Sequence, residues 1–161
     1  MTGVFAALIT LMTAYICHIP IGINGGYLHF GDAFIYLAAA LLPRPYALAA
    51  AAIGGGLADL MTAPMWAPAT IVIKMLLVLL FTNKKARVIN ITNIMSTAWA
   101  YLVSGIGYYI AECLMFEKGA VFAVTMAQTA VQSAGSAAVF IVLGLALDKA
   151  GVKRRFCNCD K

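Results

Sequence analysis

The residues best suited to chemistry are a few ionisable side chains within long apolar runs. Lys74, Asp59 and Glu112 each interrupt such a run. If the runs cross a bilayer, each charged group costs roughly 2.5–3.5 kcal/mol to insert, so it is normally paired or turned toward a polar cavity. Lys74 therefore needs an acidic partner, and Asp59, Asp32 and Glu112 are the candidates. The sequence leaves two roles open for a Lys74–Asp59 ion pair: it could only join two helices, or it could also contact a ligand.

A second group of candidates lies in the stretch GYLHFGDAF, residues 26–34. His29 can donate or accept a hydrogen bond, and Tyr27 and Phe30 offer ring faces to a flat molecule. Asp32 follows a glycine at the start of an apolar run, where a carboxylate can cap the first turn of a helix. Capping and ligand contact are both open for Asp32.

The composition identifies the chain as a membrane protein. Of its 161 residues, 63% are hydrophobic and 11% are charged, and the mean hydropathy is +0.93; a soluble domain is nearer half apolar and a quarter charged. We expect Met1 to be the true start, because no cleavage site with a polar domain follows the first run. The runs predict an all-α, polytopic fold with six transmembrane helices in one integral membrane domain, 1–161. The predicted helices are 3–19, 31–43, 46–63, 67–82, 91–115 and 120–148.

Positive charges predict the orientation of these helices. Six spans place both termini on one side, which also receives most of the Lys and Arg residues, including the basic tail 149–161. The positive-inside rule then puts both termini in the cytoplasm. Because the cations are divided among short loops and a tail, we expect them to contact lipid headgroups and expect no nucleic-acid partner.

With this orientation, most of the unusual polar residues lie near the outer surface. A rise of about 1.5 Å per residue places five residues within the helices roughly 5–12 Å below that surface: Asp59, Lys74, Tyr108, Glu112 and Gln128. Gln128 and Glu112 are interpreted as ligand contacts, and the deeper Gln132 and Ser136 as hydrogen-bonding links between helices. The predicted substrate-binding residues are Asn24, Tyr27, His29, Asp32, Asp59, Trp66, Lys74, Tyr108, Glu112 and Gln128.

Small residues form a stripe on the first helix. Ala6, Thr10 and Ala14 recur every four residues, and Gly3 and Ala7 form a second stripe beside them. Such stripes let another helix approach closely, either within the molecule or in a partner. The sequence contains no GxxxxGK[ST], HExxH or GxSxG motif, so it predicts neither ATP hydrolysis nor a catalytic or metal site of its own.

Several of these segments resemble one known family. GGYLHFGDAFIYLAAALL leads into the second helix, and GGGLADL and APATIVIK follow in the third and fourth. In these sequence motifs, in its length and in the arrangement of its predicted spans, the chain resembles the substrate-binding S components of energy-coupling factor (ECF) vitamin transporters. It looks most like the branch named for riboflavin, which also holds hydroxymethylpyrimidine- and pyridoxine-type members. The sequence motifs that carry this resemblance lie within about residues 20–75.

The resemblance implies a fold and a function. It implies six helices with a vitamin pocket near the outer face of a prokaryotic plasma membrane, capped by the loop between helices one and two. It also implies partners: a transmembrane coupling protein and two ATPase subunits, which use the ATP, so that this chain needs no cofactor. In that family the module docks on a small-residue stripe of helix one, which here reads Ala6, Thr10 and Ala14, with threonine in the middle place.

Two alternatives remain at the level of the sequence. One is a membrane enzyme that uses His18, His29, Asp32 and Asp59 as an acid–base or metal site at the outer face. The other is a small stand-alone carrier or structural subunit. Tyrosine and tryptophan near hydrogen-bonding side chains suit a small aromatic heterocycle, such as riboflavin, hydroxymethylpyrimidine or pyridoxine.

Overall fold

Six α-helices make up the described part of the chain. The computed structural model describes residues 1–16, 19–20, 27–115 and 122–153. The helices are α1 Thr2–Leu11, α2 Asp32–Leu41, α3 Arg44–Thr62, α4 Ala67–Leu80, α5 Ile91–Met115 and α6 Phe122–Lys149. A π-helical turn, Met12–Ile16, extends α1, and a 3-10 turn, Pro64–Trp66, precedes α4. The prediction of an all-α fold with six helices is confirmed.

Prolines set the sharp boundaries between the middle helices. The α2 helix ends where Leu42 turns to extended backbone, and Pro43 precedes the first turn of α3. Proline lacks an N–H group, which the first turn of a helix does not need but a helix interior does. The first or second helical position is occupied by Pro45 in α3, by Pro64 in the 3-10 turn and by Pro68 in α4. The helices are therefore joined by tight connections.

A short antiparallel ladder lies between α1 and α2. Strand β1, Ile19–Pro20, pairs with β2, Tyr27–Leu28, so that Ile19 is opposite Leu28 and Pro20 is opposite Tyr27. The ladder brings the two ends of the connection together next to the start of α2. The sequence did not predict these strands.

The central helix is α2, which contacts α1, α3, α4 and α6. Nearly all of its side chains are buried. Tyr36 stacks on Phe81 with ring centroids 4.6 Å apart and meets the edge of Phe140 at 5.9 Å. Since aromatic rings bury large areas, this group anchors α2 to the start of the α4–α5 connection and to α6.

The outer surface of the helices is apolar. Large hydrophobic side chains are exposed on five of them, for example Leu8, Leu57, Val72, Ile106 and Val142. Extensive exposed apolar surface marks contact with a membrane or a partner. Among the described helices, α6 alone has both the length and the hydropathy expected of a complete membrane span; Thr2–Ile16, Asp32–Leu41 and Pro64–Leu80 are apolar but shorter.

Candidate ligand-binding site

The centre of the candidate site is a buried ion pair between α4 and α2. Lys74 Nζ lies 2.5 Å from Asp32 Oδ1, and each side chain is only 1% exposed. The sequence favoured Asp59 as the partner of Lys74, and that prediction is corrected: Asp32, the second candidate, forms the ion pair. Asp59 is also buried, on α3.

The position of Asp32 explains this pairing. Gly31 is the N-cap of α2, and Asp32 is the first residue inside the helix, without a side-chain capping bond. Of the two roles left open for Asp32, the structure therefore does not show capping. Its carboxylate is directed instead toward α4 and α6, where Lys74 and Gln132 donate to its two oxygens.

A glycine makes room for the Lys74 side chain. A Cβ atom on Gly55 of α3 would lie 3.1 Å from Lys74 Cγ. This separation is tighter than ordinary van der Waals contact, so any larger residue at position 55 would press on the aliphatic stem of the lysine. The glycine-rich segment of α3 thus allows α4 to bury a full-length lysine at the helix interface.

Gln132 and His29 complete the polar cluster. Gln132 Nε2 donates to Asp32 Oδ2 at 3.1 Å and lies 3.4 Å from His29 Nε2, while His29 Nδ1 accepts from the Gly31 N–H at 3.1 Å. The imidazole is buried at the base of the α1–α2 connection. We call His29, Asp32, Lys74 and Gln132 the polar cluster; it joins that connection to α2, α4 and α6.

Aromatic side chains adjoin the polar cluster. Lys74 Nζ lies 5.5 Å from the centre of the Tyr108 ring, close enough for a cation–π interaction. The Tyr108 ring meets Trp66 edge-on at 6.0 Å, and the Tyr108 hydroxyl is 3.2 Å from Thr70 Oγ1. Trp66 and Tyr108, here called the aromatic pair, therefore continue the cluster toward the end of the molecule where α4 begins and α5 ends.

The other predicted site residues lie apart from the cluster or outside the described residues. Glu112 Oε2 accepts from Thr125 Oγ1 at 2.5 Å, a hydrogen bond that joins α5 to α6. Gln128 is half-buried on α6. Asn24 and His18 fall outside the described residues, and of Tyr27 the structure describes the backbone, in β2.

The prediction that Gln132 forms a hydrogen-bonding link between helices is confirmed by its bond from α6 to Asp32 of α2, but the sequence did not place Gln132 in the polar cluster. Its spacing of four from Gln128 placed the two on one face of α6, and depth alone then assigned Gln132 to helix packing. The structure also leaves four buried hydroxyl groups without a hydrogen-bond partner in the described part of the chain: Tyr36, Ser104, Ser133 and Ser136. Ser133 adjoins Gln132 on α6, and Ser104 lies on α5.

The predicted docking stripe faces the interior of this structure. Ala6 and Ala14 are buried, and Thr10 Oγ1 donates to the Ala6 carbonyl at 2.9 Å and to the Gly54 carbonyl of α3 at 3.1 Å. The stripe thus serves the close packing of α1 on α3. Gly3 and Ala7, the second stripe, are exposed on the opposite side.

Comparison with known proteins agrees with the resemblance seen in the sequence. A curated protein of Pyrococcus woesei, described as "Uncharacterized protein in gap 3'region", is 41% identical over 63 residues, which are 39% of this chain and 43% of that protein. The chain thus spans less than half the length of this relative. The family model described as "ECF-type riboflavin transporter, S component" matches residues 1–149. This chain therefore belongs to the ECF-type riboflavin transporter S component family.

Proposed function

We propose that this chain binds a small water-soluble vitamin or precursor at the outer face of the cell membrane and delivers it to the cytoplasm. The observation that carries the proposal is the buried polar cluster beside the aromatic pair, within helices that are largely apolar. Family membership supports the same role. The polar cluster and the aromatic pair would together form the substrate site.

The energetics of the ion pair support a role beyond helix packing. Withdrawing two charges from water costs several kcal/mol per ion, and well-packed apolar residues often stabilise a fold as well or better. Ionisable residues retained within membrane spans generally mark a ligand or ion path. Lys74 and Asp32 therefore fit a polar recognition site better than a purely structural link.

The proposed ligand is a flat, uncharged or weakly charged heterocycle. Trp66 and Tyr108 offer ring faces, and the polar cluster offers both donors and acceptors. The charges of Lys74 and Asp32 offset each other, which disfavours a dianionic ligand. Riboflavin, hydroxymethylpyrimidine and pyridoxine meet these requirements. The unpartnered hydroxyls of Ser104 and Ser133 are further candidates for contact with ligand polar atoms.

The proposed entry route is the α1–α2 connection. His29 joins this connection to Gln132, and the β1–β2 ladder holds its two ends together. Moving the connection outward would remove His29 from the cluster and open the cluster to the outer solution. Loops that close over a bound substrate work in this way in many proteins.

The proposed orientation places both termini in the cytoplasm. Because successive helices alternate in direction, the α2–α3 and α4–α5 connections and the end of α6 lie at one end of the molecule. Cationic residues concentrate at this end: Arg44, Lys84, Lys85, Arg87 and Lys149. The polar cluster lies toward the opposite end. By the positive-inside rule, the cationic end faces the cytoplasm.

Delivery would require partners: a transmembrane coupling protein and two ATPase subunits. The exposed side of α1, with Gly3 and Ala7, is the proposed docking face in this conformation, because Ala6, Thr10 and Ala14 pack against α3. In cells, vitamin uptake should depend on co-expression of the module. Equal uptake with and without the module would favour a stand-alone carrier.

The experiment that tests the binding role is calorimetric titration of the purified protein with riboflavin, hydroxymethylpyrimidine and pyridoxine. We expect nanomolar-range binding of one of them, weakened about 10- to 100-fold by Lys74→Met, the range expected when a hydrogen bond to a charged group is lost. Lys149→Met, a change of the same type at an exposed position, is the control. Folded protein that binds none of the three and no other vitamin would reject the proposal.

A further inference from the structure

A second polar site lies at the opposite end of the molecule from the polar cluster. The α4–α5 connection and the end of α6 enclose a groove of about 460 Å³. This volume lies within the range of small-molecule sites. The lining residues that matter here are Arg87, Ile89, Leu145, Asp148, Lys149 and Lys153.

The shape of the groove is fixed by hydrogen bonds between the α4–α5 connection and the residues at the end of α6 and just after it. The two carboxylate oxygens of Asp148 accept from the N–H groups of Val88 at 2.7 Å and Ile89 at 2.9 Å. Lys153 is buried, and its Nζ donates to the Arg87 carbonyl at 3.5 Å. The connection is therefore fixed to α6 and to the residues just after it, and the walls of the groove do not depend on a partner protein.

The charge of the groove is positive. Arg87, Lys149 and Lys153 contribute three cations against the single carboxylate of Asp148, whose oxygens are already engaged by backbone N–H groups. Arg87 and Lys149 are exposed, so their charged ends are available to an incoming anion. Guanidinium and ammonium groups together favour phosphate oxygens.

The groove also has an apolar wall. Ile89 and Leu145 line it, and Leu145 is 47% exposed on the outer surface of α6. A soluble phosphate ester would leave this wall in contact with water. A glycerophospholipid would contact both the cationic side chains and the apolar wall. Its phosphate would lie beside the cations, and the first part of an acyl chain would lie along Leu145.

We propose that this groove binds the phosphate-bearing headgroup of an anionic phospholipid of the cytoplasmic leaflet. Basic pockets at the cytoplasmic ends of membrane helices are suited to such headgroups, and each nearby Lys or Arg contributes to the attraction. The proposal depends on membrane insertion with this end in the cytoplasm. It does not depend on vitamin binding, so the two proposals can fail separately.

Native mass spectrometry of the full chain in detergent, titrated with phosphatidylglycerol or phosphatidylcholine, tests the proposal. We expect phosphatidylglycerol to bind at least about tenfold more tightly, and Arg87→Gln/Lys149→Gln to weaken it about thirtyfold. The control is Lys84→Gln/Lys85→Gln, which removes two exposed cations from the same connection without touching the lining of the groove. The control should lose less than about threefold.

Three outcomes would overturn the proposal. Equal affinity for phosphatidylglycerol and phosphatidylcholine would show that the groove does not recognise the charge of the headgroup. Equal losses of phosphatidylglycerol affinity in the two double variants would show that diffuse surface charge, rather than the groove, attracts the lipid. Glycerol 3-phosphate that competes as strongly as the intact lipid would assign the site to a soluble phosphate ester. Because all four substituted residues are exposed, the variants should fold, and vitamin binding by each variant provides an independent check.

Discussion

At the scale of single residues, Lys74 and Asp32 depend on each other because both are withdrawn from solvent. Lys74 donates to one oxygen of Asp32, and Gln132 donates to the other. Neutralising one member leaves the other charge buried without its hydrogen-bonded partner, whereas neutralising both members leaves no unpaired charge in the pair. This asymmetry distinguishes a coupled pair from two independent polar groups.

We therefore predict a large loss of stability from Asp32→Asn alone. The free energy of unfolding should fall by about 3–5 kcal/mol, because the buried Lys74 amine would lose its hydrogen-bonded counter-charge. The double variant Asp32→Asn/Lys74→Met should lose much less than the sum of the two single variants. Thermal unfolding of the four proteins in detergent measures this coupling, and strictly additive losses would contradict it.

At the scale of elements, α1 and α3 approach closely through small residues. A Cβ atom on Gly54 would lie 2.8 Å from the Ala6 carbonyl oxygen and 2.8 Å from Ile9 Cβ. Thr10 adds a hydrogen bond from α1 to the Gly54 carbonyl. The helices therefore meet at a distance that allows no side chain at position 54.

We predict that Gly54→Ala destabilises the protein by about 1–3 kcal/mol, since the new methyl group would force α1 and α3 apart. Gly3→Ala is the matched control on α1, because a Cβ there meets nothing within 4 Å. The control should be neutral or slightly stabilising, as alanine favours a helix over glycine. Equal melting temperatures for the two variants would show that the close approach at Gly54 is absent.

The elements could be predicted from the sequence more fully than their contacts could. The apolar runs of the sequence indicated the six helices, because hydropathy is a local signal. The partner of Lys74 is not a local property. Asp59 and Asp32 were both candidates by residue type and by their place in the sequence, and only the packing of α2 between α4 and α6 decides between them.

The same reason explains the two other differences. The Ala6, Thr10 and Ala14 stripe indicated close helix packing, but its spacing could not identify α3 as the neighbour. Gln132 shared a face with Gln128, yet the rotation of α6 toward Asp32 depends on the surrounding helices. Residue spacing determines which side chains share a face, whereas tertiary packing determines what that face meets.

At the scale of the whole molecule, polar function is divided between two ends. The polar cluster and the aromatic pair lie toward one end, and the cationic groove of the α4–α5 connection lies at the other. The exposed surface between them is largely apolar. The proposed substrate site, the proposed lipid site and the proposed docking face can therefore be altered separately by substitution.

Partner docking gives a prediction at this scale. Ala7→Trp, on the exposed side of α1, should leave vitamin binding intact and stop uptake by blocking the coupling protein. Ala14→Trp, at a buried position, should instead lower the melting temperature, because the indole has no space against the neighbouring helices. Uptake assays with binding and melting measurements separate the two effects. Normal uptake by Ala7→Trp would exclude this side of α1 as the docking face.

The central claim is that the polar cluster and the aromatic pair hold a vitamin. Its most direct test is native mass spectrometry of the protein purified from cells grown in vitamin-replete medium. We predict a co-purifying small molecule in a one-to-one complex, with a mass that identifies a heterocyclic vitamin or precursor, and loss of that molecule from Lys74→Met but not from Lys149→Met. Folded wild-type protein that carries no such molecule, and gains none from a vitamin panel, would contradict the claim.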